Sequence, residues 1–376
     1  MKYIGVMSGT SVDGLDAVLI EDSPSFPVPV KVLGHHYQPW PEKIRTQILA
    51  LADGTPMAAQ NITALSQAVS EEHAFAVIQL LQSTHTTPNE IAAIGMHGQT
   101  VWHQPPTGSH LGYTWQLGSP SWVANRTGIQ TVGDFRLADM ALGGQGAPLV
   151  PYAHRLLFQN PDNPIGILNI GGISNITLLD PDVAVPPVAT DLGPGNMLID
   201  SLCRLYTKGA QSMDRDGLYA KHGVVIKPLL TSLLSDPFFH QPFPKSTGRE
   251  YFGSKFLSRF DGLNQYDAIA TATMLTVHSI VQGISQIGAP STIYVAGGGA
   301  KNPFMMQQLQ EFMRPIRVTT TEELGIPVDQ VEAVAFALLS KACLLKMPAN
   351  VPTATGSSHA TILGVLAVPG SIFPAH

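Results

Sequence analysis

A glycine-containing turn near the start of the chain carries several groups that could bind phosphate. It reads Gly9-Thr10-Ser11-Val12-Asp13-Gly14-Leu15-Asp16 and joins two apolar stretches. Such a turn exposes backbone N–H groups on one side, and the hydroxyls of Thr10 and Ser11 add donors. An ordinary hairpin turn is the alternative, because Asp-Gly and Ser-Gly are common turn dipeptides. The chain contains no Gly-Lys-Ser or Gly-Lys-Thr, which excludes kinases built on a Walker A loop.

A second glycine turn occupies the corresponding position in the second half of the chain. Asn169-Ile170-Gly171-Gly172-Ile173-Ser174-Asn175 begins at the end of an apolar stretch that starts at Ile165. A phosphate-contacting hairpin in each half is the arrangement by which two-domain phosphotransferases of the actin and hexokinase kind hold ATP. The pair therefore favours phosphate binding by both Gly9–Asp16 and Gly171–Asn175, with a simple β-turn as the alternative.

A third glycine cluster, Gly297-Gly298-Gly299-Ala300-Lys301-Asn302, follows an apolar strand and opens a predicted helix. Three glycines allow a flat ring to approach the backbone, which suits an adenosine pocket. The start of a helix also favours phosphate. The alternative is that these glycines serve only the turn between strand and helix.

Asp191 is the candidate general base. It ends a predicted strand directly before Leu192-Gly193-Pro194-Gly195-Asn196. A carboxylate at a strand end can accept a proton from a hydroxyl or a water, and a phosphotransferase also needs positive charge, usually Mg²⁺, on the phosphates. A helix cap or a turn-initiating role for Asp191 is the alternative.

Polar side chains that suit a sugar follow two other apolar strands. They lie in His97-Gly98-Gln99-Thr100 and in Asp134-Phe135-Arg136, and Gly143–Leu149 is predicted to be a flexible loop that covers the pocket. Histidine, glutamine and arginine together can contact the hydroxyl, amide and carboxylate groups of a sugar. The alternative for Arg136 is a surface ion pair with Asp134 or Asp139.

Two further polar clusters have weaker interpretations. Asp329-Gln330-Val331-Glu332 has the spacing of a capping box before an apolar helix, so Glu332 is more readily explained as a cap than as a site residue. Ser246-Thr247-Gly248-Arg249-Glu250 is compact and polar, but its residues indicate no role of their own.

The order strand, glycine turn, strand, strand, helix occurs twice. It predicts two related α/β domains with a ligand-binding cleft between them. The boundary is predicted near Asn125–Thr131, which gives domains of 1–130, completed by a returning segment 347–376, and 131–346. The predicted strands are 3–7, 17–20, 30–37, 91–96, 165–170, 176–179, 188–191 and 292–296, and the predicted helices are 57–82, 197–205 and 268–287.

Composition narrows the function further. The formal net charge of −6 leaves no basic surplus to bind nucleic acid. Two isolated cysteines, Cys203 and Cys343, form neither a disulfide framework nor a zinc cluster. The N-terminus lacks the basic and apolar regions of a signal peptide, and no uninterrupted apolar stretch approaches the ~20 residues of a membrane span. These features predict a soluble, cytoplasmic protein.

Taken in order, the motifs resemble the anhydro-N-acetylmuramic acid kinase family, from residue 1 to about residue 364. The resemblance implies a two-domain actin-like, duplicated ribonuclease H-like fold, a homodimer, and a requirement for ATP and Mg²⁺. The motifs that carry it are Met7–Asp16, His97–Thr100, Asp134–Arg136, Gly143–Pro148, Asn169–Asn175, Asp191–Asn196, Ser246–Glu250 and Gly297–Asn302.

The resemblance also implies the reaction. Water opens the 1,6-anhydro ring of 1,6-anhydro-N-acetylmuramic acid, O6 receives the γ-phosphate of ATP, and the product is N-acetylmuramic acid 6-phosphate, in the recycling of peptidoglycan. Asp191 is implied as the base that activates the water. Gly9–Asp16 and Gly171–Asn175 are implied to hold the phosphates and Gly297–Asn302 the adenosine. The candidates on the sugar side are His97, Gln99, Arg136 and Glu332.

The sequence departs from the pattern at two places. The family's Asp-Thr-Gly-Pro-Gly-Asn reads Asp-Leu-Gly-Pro-Gly-Asn, so Leu192 removes a hydroxyl beside the predicted base. Many relatives in the wider superfamily carry an aspartate near Met7 or Ser8. Neither position holds one here, which leaves Asp13 and Asp16 as the nearest carboxylates for Mg²⁺.

Two other functions remain open at this point. Another amino-sugar kinase of the same fold would share the phosphate turns and differ in its sugar pocket. The cysteine-rich zinc motif of one large group of bacterial sugar kinases is absent. A nucleotide-dependent assembly or chaperone-like protein is the alternative from a different class, although a chaperone would need an added substrate domain for which the chain has no room.

Overall fold

A computed structural model describes residues 1–22, 30–108, 110–248 and 251–370. The chain forms two compact units, which we call the first unit (Met1–Phe158 with Gln330–His376) and the second unit (Gln159–Asp329). The strands within the described residues are β1 (Lys2–Met7), β2 (Gly14–Asp22), β3 (Val30–Pro39), β4 (Ile91–Met96), β5 (Gln99–Gln104), β6 (Tyr113–Leu117), β7 (Thr131–Gly133), β8 (Ile165–Ile170), β9 (Ile173–Leu179), β10 (Val188–Pro194), β11 (Thr292–Ala296), β12 (Arg317–Thr320) and β13 (Val365–Ala367).

The helices differ widely in length, from 4 residues in α9 and α13 to 25 in α2. Within the same residues they are α1 (Glu42–Ala52), α2 (Ala59–Ser83), α3 (Pro120–Thr127), α4 (Leu137–Ala141), α5 (Val150–Phe158), α6 (Met197–Tyr206), α7 (Leu218–His222), α8 (Lys227–Leu234), α9 (Ser254–Leu257), α10 (Gln265–Ile287), α11 (Pro303–Phe312), α12 (Val331–Leu344) and α13 (Pro352–Thr355).

The main sheets of the two units share a core of five strands in the same order, and the first sheet has β13 as a sixth strand at its edge. The first sheet reads β3-β2-β1-β4-β7-β13, and the second reads β10-β9-β8-β11-β12 in the corresponding direction. In each sheet the first three strands of the unit are antiparallel, and the next two run parallel to the first. This arrangement is ribonuclease H-like and occurs twice, which confirms the predicted duplicated α/β fold.

The units divide at residues other than those predicted. The predicted boundary near Asn125–Thr131 falls inside the first sheet, because β7 pairs with β4 at Ile94 and Gly95. The predicted return at residue 347 comes too late, because α12 already packs on β1 and β4. Because these contacts join residues that are distant in the sequence, the boundary between the units is not marked by a change in amino-acid composition.

Two glycines allow α12 to lie directly on the first sheet. A Cβ added to Gly5 in β1 would overlap the carbonyl oxygen of Ala333, and one added to Gly95 in β4 would overlap that of Phe336. The absence of side chains at these two positions therefore sets how closely α12 approaches the sheet. Glu332, in the first turn of α12, is placed by this contact.

α10 is long and apolar enough to cross a membrane by length and composition alone. However, 78% of its most apolar window is buried inside the protein, where residues such as Leu275, Ile280 and Ile284 belong to the hydrophobic core of the second unit. That burial is typical of the central helix of a globular unit.

Buried histidines in the first unit predict that stability falls in mild acid. Burial lowers the pKa of His73 to about 4 and that of His154 to about 3. Since both folded-state pKa values lie below the unfolded value of about 6.5, the unfolded chain binds more protons below that pH. The free energy of unfolding should therefore decrease as pH falls from about 6.5 towards 4, by roughly 1.4 kcal/mol per pH unit for each such histidine.

Urea unfolding midpoints at about pH 7.5 and 5 measure this effect. The midpoint should be clearly lower at the acid pH, and a His73→Phe variant should lose part of the difference. Equal midpoints for the wild type at the two pH values would contradict the prediction.

Candidate functional site

The first glycine turn is held by hydrogen bonds at its base, while the residues at its tip are exposed. Ser8, which precedes the turn, is 1% exposed; its Oγ donates to Gln99 Oε1 at 2.6 Å and accepts from Trp40 Nε1 at 3.2 Å. Val12 adopts a φ of 54°, and its carbonyl accepts from Arg45 Nε at 3.0 Å. Thr10, Ser11 and Asp13 at the tip are exposed. Such a held turn with accessible hydroxyls and N–H groups suits a phosphate.

Gln99 has a different role from the one predicted. Its side chain has no exposed surface, and its amide nitrogen donates to the carbonyl of Thr100 at 3.1 Å and to that of Gly9 at 3.4 Å. With Ser8 bonded to its oxygen, both ends of the amide have hydrogen-bond partners within the protein. Burial contradicts direct contact between Gln99 and a sugar, and its bonds make it a support for the first turn.

His97 and Arg136 lie side by side in the first unit. Burial and the Arg136 charge hold the pKa of His97 well below its usual value, so the ring is neutral. His97 Nδ1 lies 3.2 Å from the carbonyl oxygen of Ser8, and its Nε2 lies 2.8 Å from Arg136 Nη2. The neutral tautomer that satisfies both contacts donates from Nδ1 and accepts at Nε2.

Arg136 does not form the surface ion pair that was the alternative to its predicted role in sugar binding. Its Nη1 donates to the carbonyl of Gly146 at 2.7 Å, and its Nη2 faces His97. Burial lowers its pKa to about 10, which still leaves the guanidinium charged at neutral pH. The alternative that paired Arg136 with Asp134 or Asp139 is therefore wrong.

Glu332 is not part of a capping box. The N-cap of α12 is Gln330, without a side-chain cap hydrogen bond, and Asp329 forms an ion pair with Lys301 within the second unit. Burial raises the pKa of Glu332, the nearby Arg136 lowers it, and Asp16 raises it. The capping alternative for Glu332 is therefore wrong, and the residue lies near Arg136. We call His97, Arg136 and Glu332 the sugar-side cluster, after the contacts predicted for them from the sequence.

The loop Gly143–Leu149, predicted to be flexible, is hydrogen-bonded to its surroundings at Gln145 and Gly146. The backbone N–H of Gly146 donates to Asp139 Oδ2 at 2.8 Å, and that of Gln145 donates to the carbonyl of Thr355 at 2.7 Å. Leu149 is 4% exposed within a small core cluster of the first unit.

In the second unit, three of the predicted motifs come together. The backbone N–H groups of Gly195 and Asn196 donate to the carbonyls of Gly172 and Gly171, each at 2.8 Å. A Cβ on Gly299 would overlap Ile170, directly before the same turn. The turn of β8–β9, the Gly-Pro-Gly-Asn segment and the triple glycine therefore form one glycine-lined surface, to which a nucleotide could come close.

Two other predicted nucleotide residues lie beside that surface, Asn175 opposite Asn169 in register and Asn302 with its N–H bonded to the carbonyl of Gly299 at 3.1 Å. Asn175 is the register partner of Asp191 across β9 and β10, so it neighbours the candidate base. Asn302 is 8% exposed, and its Oδ1 caps α11 by accepting from Met305 N at 3.0 Å. That cap explains Asn302 without a ligand.

Asp191 is held by a segment whose role the sequence did not indicate. Asp191 Oδ2 accepts from the backbone N–H of Thr247 at 2.8 Å, and its own N–H donates to the carbonyl of Lys245 at 3.0 Å. The N-cap of α6 is Asn196, so the helix-cap alternative for Asp191 is wrong. Of the polar cluster Ser246–Glu250, Arg249 and Glu250 lie outside the described residues.

Lys245 anchors the segment that holds Asp191. It is 7% exposed, and its Nζ donates to the carbonyl of Phe238 at 2.8 Å. The ammonium also lies 4.5 Å from the ring centroid of Phe238 and 4.6 Å from that of Phe243. A hydrogen bond and two cation–π contacts hold this buried cation, whose pKa burial lowers.

The Leu192 departure is explained by packing. Leu192 is 1% exposed, and a Cβ added to Gly283 on α10 would lie 2.6 Å from Leu192 Cδ2. The register of β10 on β9 shifts between Asp191 and Gly193, at Leu192. Leu192 is therefore a core residue, and a threonine there would place a hydroxyl in that core.

We expect Leu192→Thr to lower the free energy of unfolding by about 2 kcal/mol, through lost volume and a buried hydroxyl. Turnover by the folded protein should stay within about two-fold of wild type, which is under 0.5 kcal/mol of barrier. Denaturant unfolding measures the expected loss of stability, and initial rates measure the turnover. A large loss of turnover with unchanged stability would show that the side chain at 192 acts in the site.

The carboxylates predicted for Mg²⁺ fit a loosely held ion. Among the described residues, no group of three or more His, Cys, Asp or Glu side chains could hold a metal ion. Mg²⁺ commonly takes only one or two carboxylates, with phosphates and water supplying the rest. Asp13 is exposed, and Asp16 Oδ1 lies 2.9 Å from His35 Nε2. Asp13 is thus the more accessible of the two.

One protein family resembles this chain along nearly its whole length. The model of the anhydro-N-acetylmuramic acid kinase family matches residues 1–369. An anhydro-N-acetylmuramic acid kinase of Vibrio vulnificus (strain YJ016) is 41% identical over 370 residues, which are 97% of each chain.

Solved structures are more distantly similar. The activator of the 2-hydroxyisocaproyl-CoA dehydratase from Clostridium difficile, with bound ADPNP, is 10% identical, with a TM-score of 0.45 over 90% of this chain and 93% of that one. A ROK family glucokinase from Streptomyces griseus, in complex with glucose and AMPPNP, is 12% identical, with a TM-score of 0.39 over 90% and 99%. The match of the family model and of the Vibrio relative extends over nearly the whole chain. The chain belongs to the anhydro-N-acetylmuramic acid kinase family.

Proposed function

We propose that this protein uses ATP to open 1,6-anhydro-N-acetylmuramic acid with water and to phosphorylate O6, giving N-acetylmuramic acid 6-phosphate and ADP. It is a phosphotransferase with an alcohol group as acceptor, and ATP is its phosphate donor. The observation that carries the mechanism is Asp191, a carboxylate oriented by Thr247 N at 2.8 Å and adjacent in register to Asn175.

In the proposed mechanism, Asp191 accepts a proton from a water as that water attacks the anomeric carbon. The bond from that carbon to O6 breaks, and O6 leaves with its electron pair. O6 then attacks the γ-phosphorus of ATP, and the bond to ADP breaks. Because O6 arrives without a proton to remove, a single carboxylate base is sufficient.

The sugar-side cluster is proposed to bind the substrate. Arg136 supplies a charged guanidinium for the carboxylate of the sugar, and its Nε is buried without a hydrogen-bond partner among the described residues. His97 orients Arg136 and the first turn, because it contacts both Arg136 and Ser8. Glu332 would accept hydrogen bonds from sugar hydroxyl or amide groups.

The phosphates are assigned to Gly9–Asp16 and to Gly171 and Gly172, and the adenosine to Gly297–Gly299. Asp13 would hold Mg²⁺, with Asp16 as the second carboxylate. When bound, the ion neutralises charge on the phosphates. The chain's own contribution is to hold the first turn rigid, through Ser8 and Gln99.

The cellular role follows from the substrate. We propose a cytoplasmic homodimer that recycles amino sugar from peptidoglycan. Another amino-sugar kinase of the same fold is the alternative, and it would share the ATP residues but not the water-opening step.

The test uses purified protein, ATP, Mg²⁺ and 1,6-anhydro-N-acetylmuramic acid in ¹⁸O-labelled water, followed by mass spectrometry. A phosphorylated sugar with one ¹⁸O at its anomeric carbon supports the coupled reaction. Phosphorylation of ordinary amino sugars in a parallel panel, with no product from the anhydro sugar, would favour the alternative and reject this substrate.

A further inference from the structure

We infer that Asp139 is a positioning residue for the sugar side of the site, which aims Arg136 through the backbone of Gly146. The inference rests on the proposed role of Arg136 in sugar binding. Asp139 lies in α4, three residues after Arg136, and the sequence suggested only a surface ion pair for it.

Asp139 is a buried carboxylate satisfied by three hydrogen bonds from neutral donors. It is 0% exposed; its Oδ2 accepts from Gly146 N at 2.8 Å, and its Oδ1 accepts from Thr355 Oγ1 at 2.7 Å and from Asn350 Nδ2 at 2.8 Å. A backbone amide, a hydroxyl and a side-chain amide thus take the place of a cation. A carboxylate taken out of water requires such donors, and bonds to an ionised acceptor are stronger than neutral ones.

Gly146 links this carboxylate to the sugar-side cluster. Its N–H points to Asp139, while its carbonyl accepts from Arg136 Nη1 at 2.7 Å. Gly146 has a φ of 68°, and a Cβ there would lie 2.6 Å from Met140 Cγ, so the conformation that allows both bonds favours glycine. The position of this one residue therefore sets one of the two bonds that orient the guanidinium.

The far side of the carboxylate is bound by the segment that follows α12. Asn350 and Thr355 donate to Asp139, and the carbonyl of Thr355 accepts from Gln145 N at 2.7 Å. The loop before Leu149 is thus held from two directions. The network therefore joins α4 to the segment after α12, through the loop whose Gly146 carbonyl contacts Arg136.

A second buried carboxylate in the first unit, Asp22, allows an effect on the position of Arg136 to be distinguished from an effect on stability alone. Asp22 is also buried, at 6% exposure, but it ends β2 and forms an ion pair with Lys341 near the end of α12. That pair lies more than two helical turns along α12 from Glu332, at the opposite end of the helix. Asp22→Asn therefore serves as a matched control that removes a buried carboxylate away from the cluster.

The first experiment compares Asp139→Asn with Asp22→Asn under steady-state conditions. Asparagine at 139 keeps the shape but turns an N–H towards one of the donors. We expect the KM for the anhydro sugar to rise about 10- to 100-fold while the KM for ATP stays within about two-fold, which is loss of substrate binding on one side only. Asp22→Asn should leave both KM values unchanged. Equal changes in both KM values for Asp139→Asn, or none, would overturn the inference.

A double-mutant cycle tests the route through Arg136. If Asp139 acts by aiming the guanidinium, Asp139→Asn should raise the sugar KM much less in an Arg136→Lys background than in the wild type. Independent, additive effects would overturn the inference. Where Asp139→Asn folds poorly, Thr355→Val removes one of the three donors and should shift the sugar KM in the same direction by a smaller factor.

Hydrogen exchange separates a failure of this inference from a failure of the proposed function. In protein without ligands, Asp139→Asn should speed amide exchange within 143–149, and Asp22→Asn should not. Because this experiment uses no substrate, its result does not depend on which sugar the enzyme phosphorylates. Unchanged exchange overturns the link from Asp139 to Gly146, whereas a wild type that does not turn over the anhydro sugar overturns the substrate assignment alone.

Discussion

Asp191→Asn should retain ATP binding and lose nearly all turnover. The asparagine oxygen can still accept the hydrogen bond from Thr247 N, which lies 2.8 Å from Asp191 Oδ2, so the local geometry is kept. What disappears is the basicity that removes a proton from water. General-base catalysis typically contributes about 10²- to 10⁴-fold, and a loss in kcat of that size is expected. The ¹⁸O-labelled product should fall in the same proportion.

The control for this variant is Asp180→Asn. Asp180 follows β9 and is exposed, and its carboxylate accepts the turn N–H of Asp182 at 2.9 Å, a bond that asparagine can also accept. Its turnover should match the wild type. Retention of more than about a tenth of wild-type kcat by Asp191→Asn would mean that another group activates the water, because one factor of ten is only about 1.4 kcal/mol of barrier.

Gly5→Ala should prevent the first unit from folding normally. The added Cβ would meet the carbonyl oxygen of Ala333 and would lie 2.8 Å from the backbone nitrogen of Ala337. Both are backbone atoms of α12, so no side-chain rotation can relieve the overlap. The cost should reach about 3 kcal/mol or more, at the upper end of the overpacking range. Against a total stability of about 5–15 kcal/mol, that is a large loss.

The measurement is the free energy of unfolding beside that of Gly54→Ala. A Cβ added to Gly54 would meet nothing within 4 Å, but the residue has a φ of 79°. Its alanine variant should lose only about 1–2 kcal/mol, from the left-handed backbone alone. Any folded Gly5→Ala protein should also show a raised sugar KM, because α12 carries Glu332. Similar stability of the two variants would contradict the packing of α12 on β1.

Many candidate site residues could be predicted from the sequence, because the type of a side chain determines what chemistry it can perform. Apolar stretches predicted β4, β8 and β11 with their observed bounds, and the glycine turns at Gly9–Asp16 and Gly171–Gly172 follow β1 and β8 as predicted. Phosphate binding at these turns stays a prediction. Asp191 was selected because the predicted strand ended there, and that part of the prediction is wrong, since β10 continues to Pro194. The family resemblance added the substrate, which no pattern of spacing can specify.

The roles of some residues could be assigned only from the tertiary structure, because each of these residues contacts a partner that is distant in the sequence. Gln99 resembles a sugar ligand in sequence, but Ser8, 91 positions away, uses its amide. Glu332 has the sequence spacing of a capping box. In the structure, however, Asp329 forms an ion pair with Lys301, and Glu332 lies near Arg136. Lys245 and Asp139 carry no local signal.

The physical reason is the range of the forces involved. Local sequence determines turns, helix starts and strand periodicity, because these depend on backbone sterics and on neighbours a few residues apart. Whether a carboxylate is a base, a cap or a support depends on burial and on donors brought close by the fold, as at Asp139 with Asn350, 211 positions away. The sequence by itself therefore determined the candidates and the chemistry, and the packing of α12 and the C-terminal segment on the first sheet decided which of them act together.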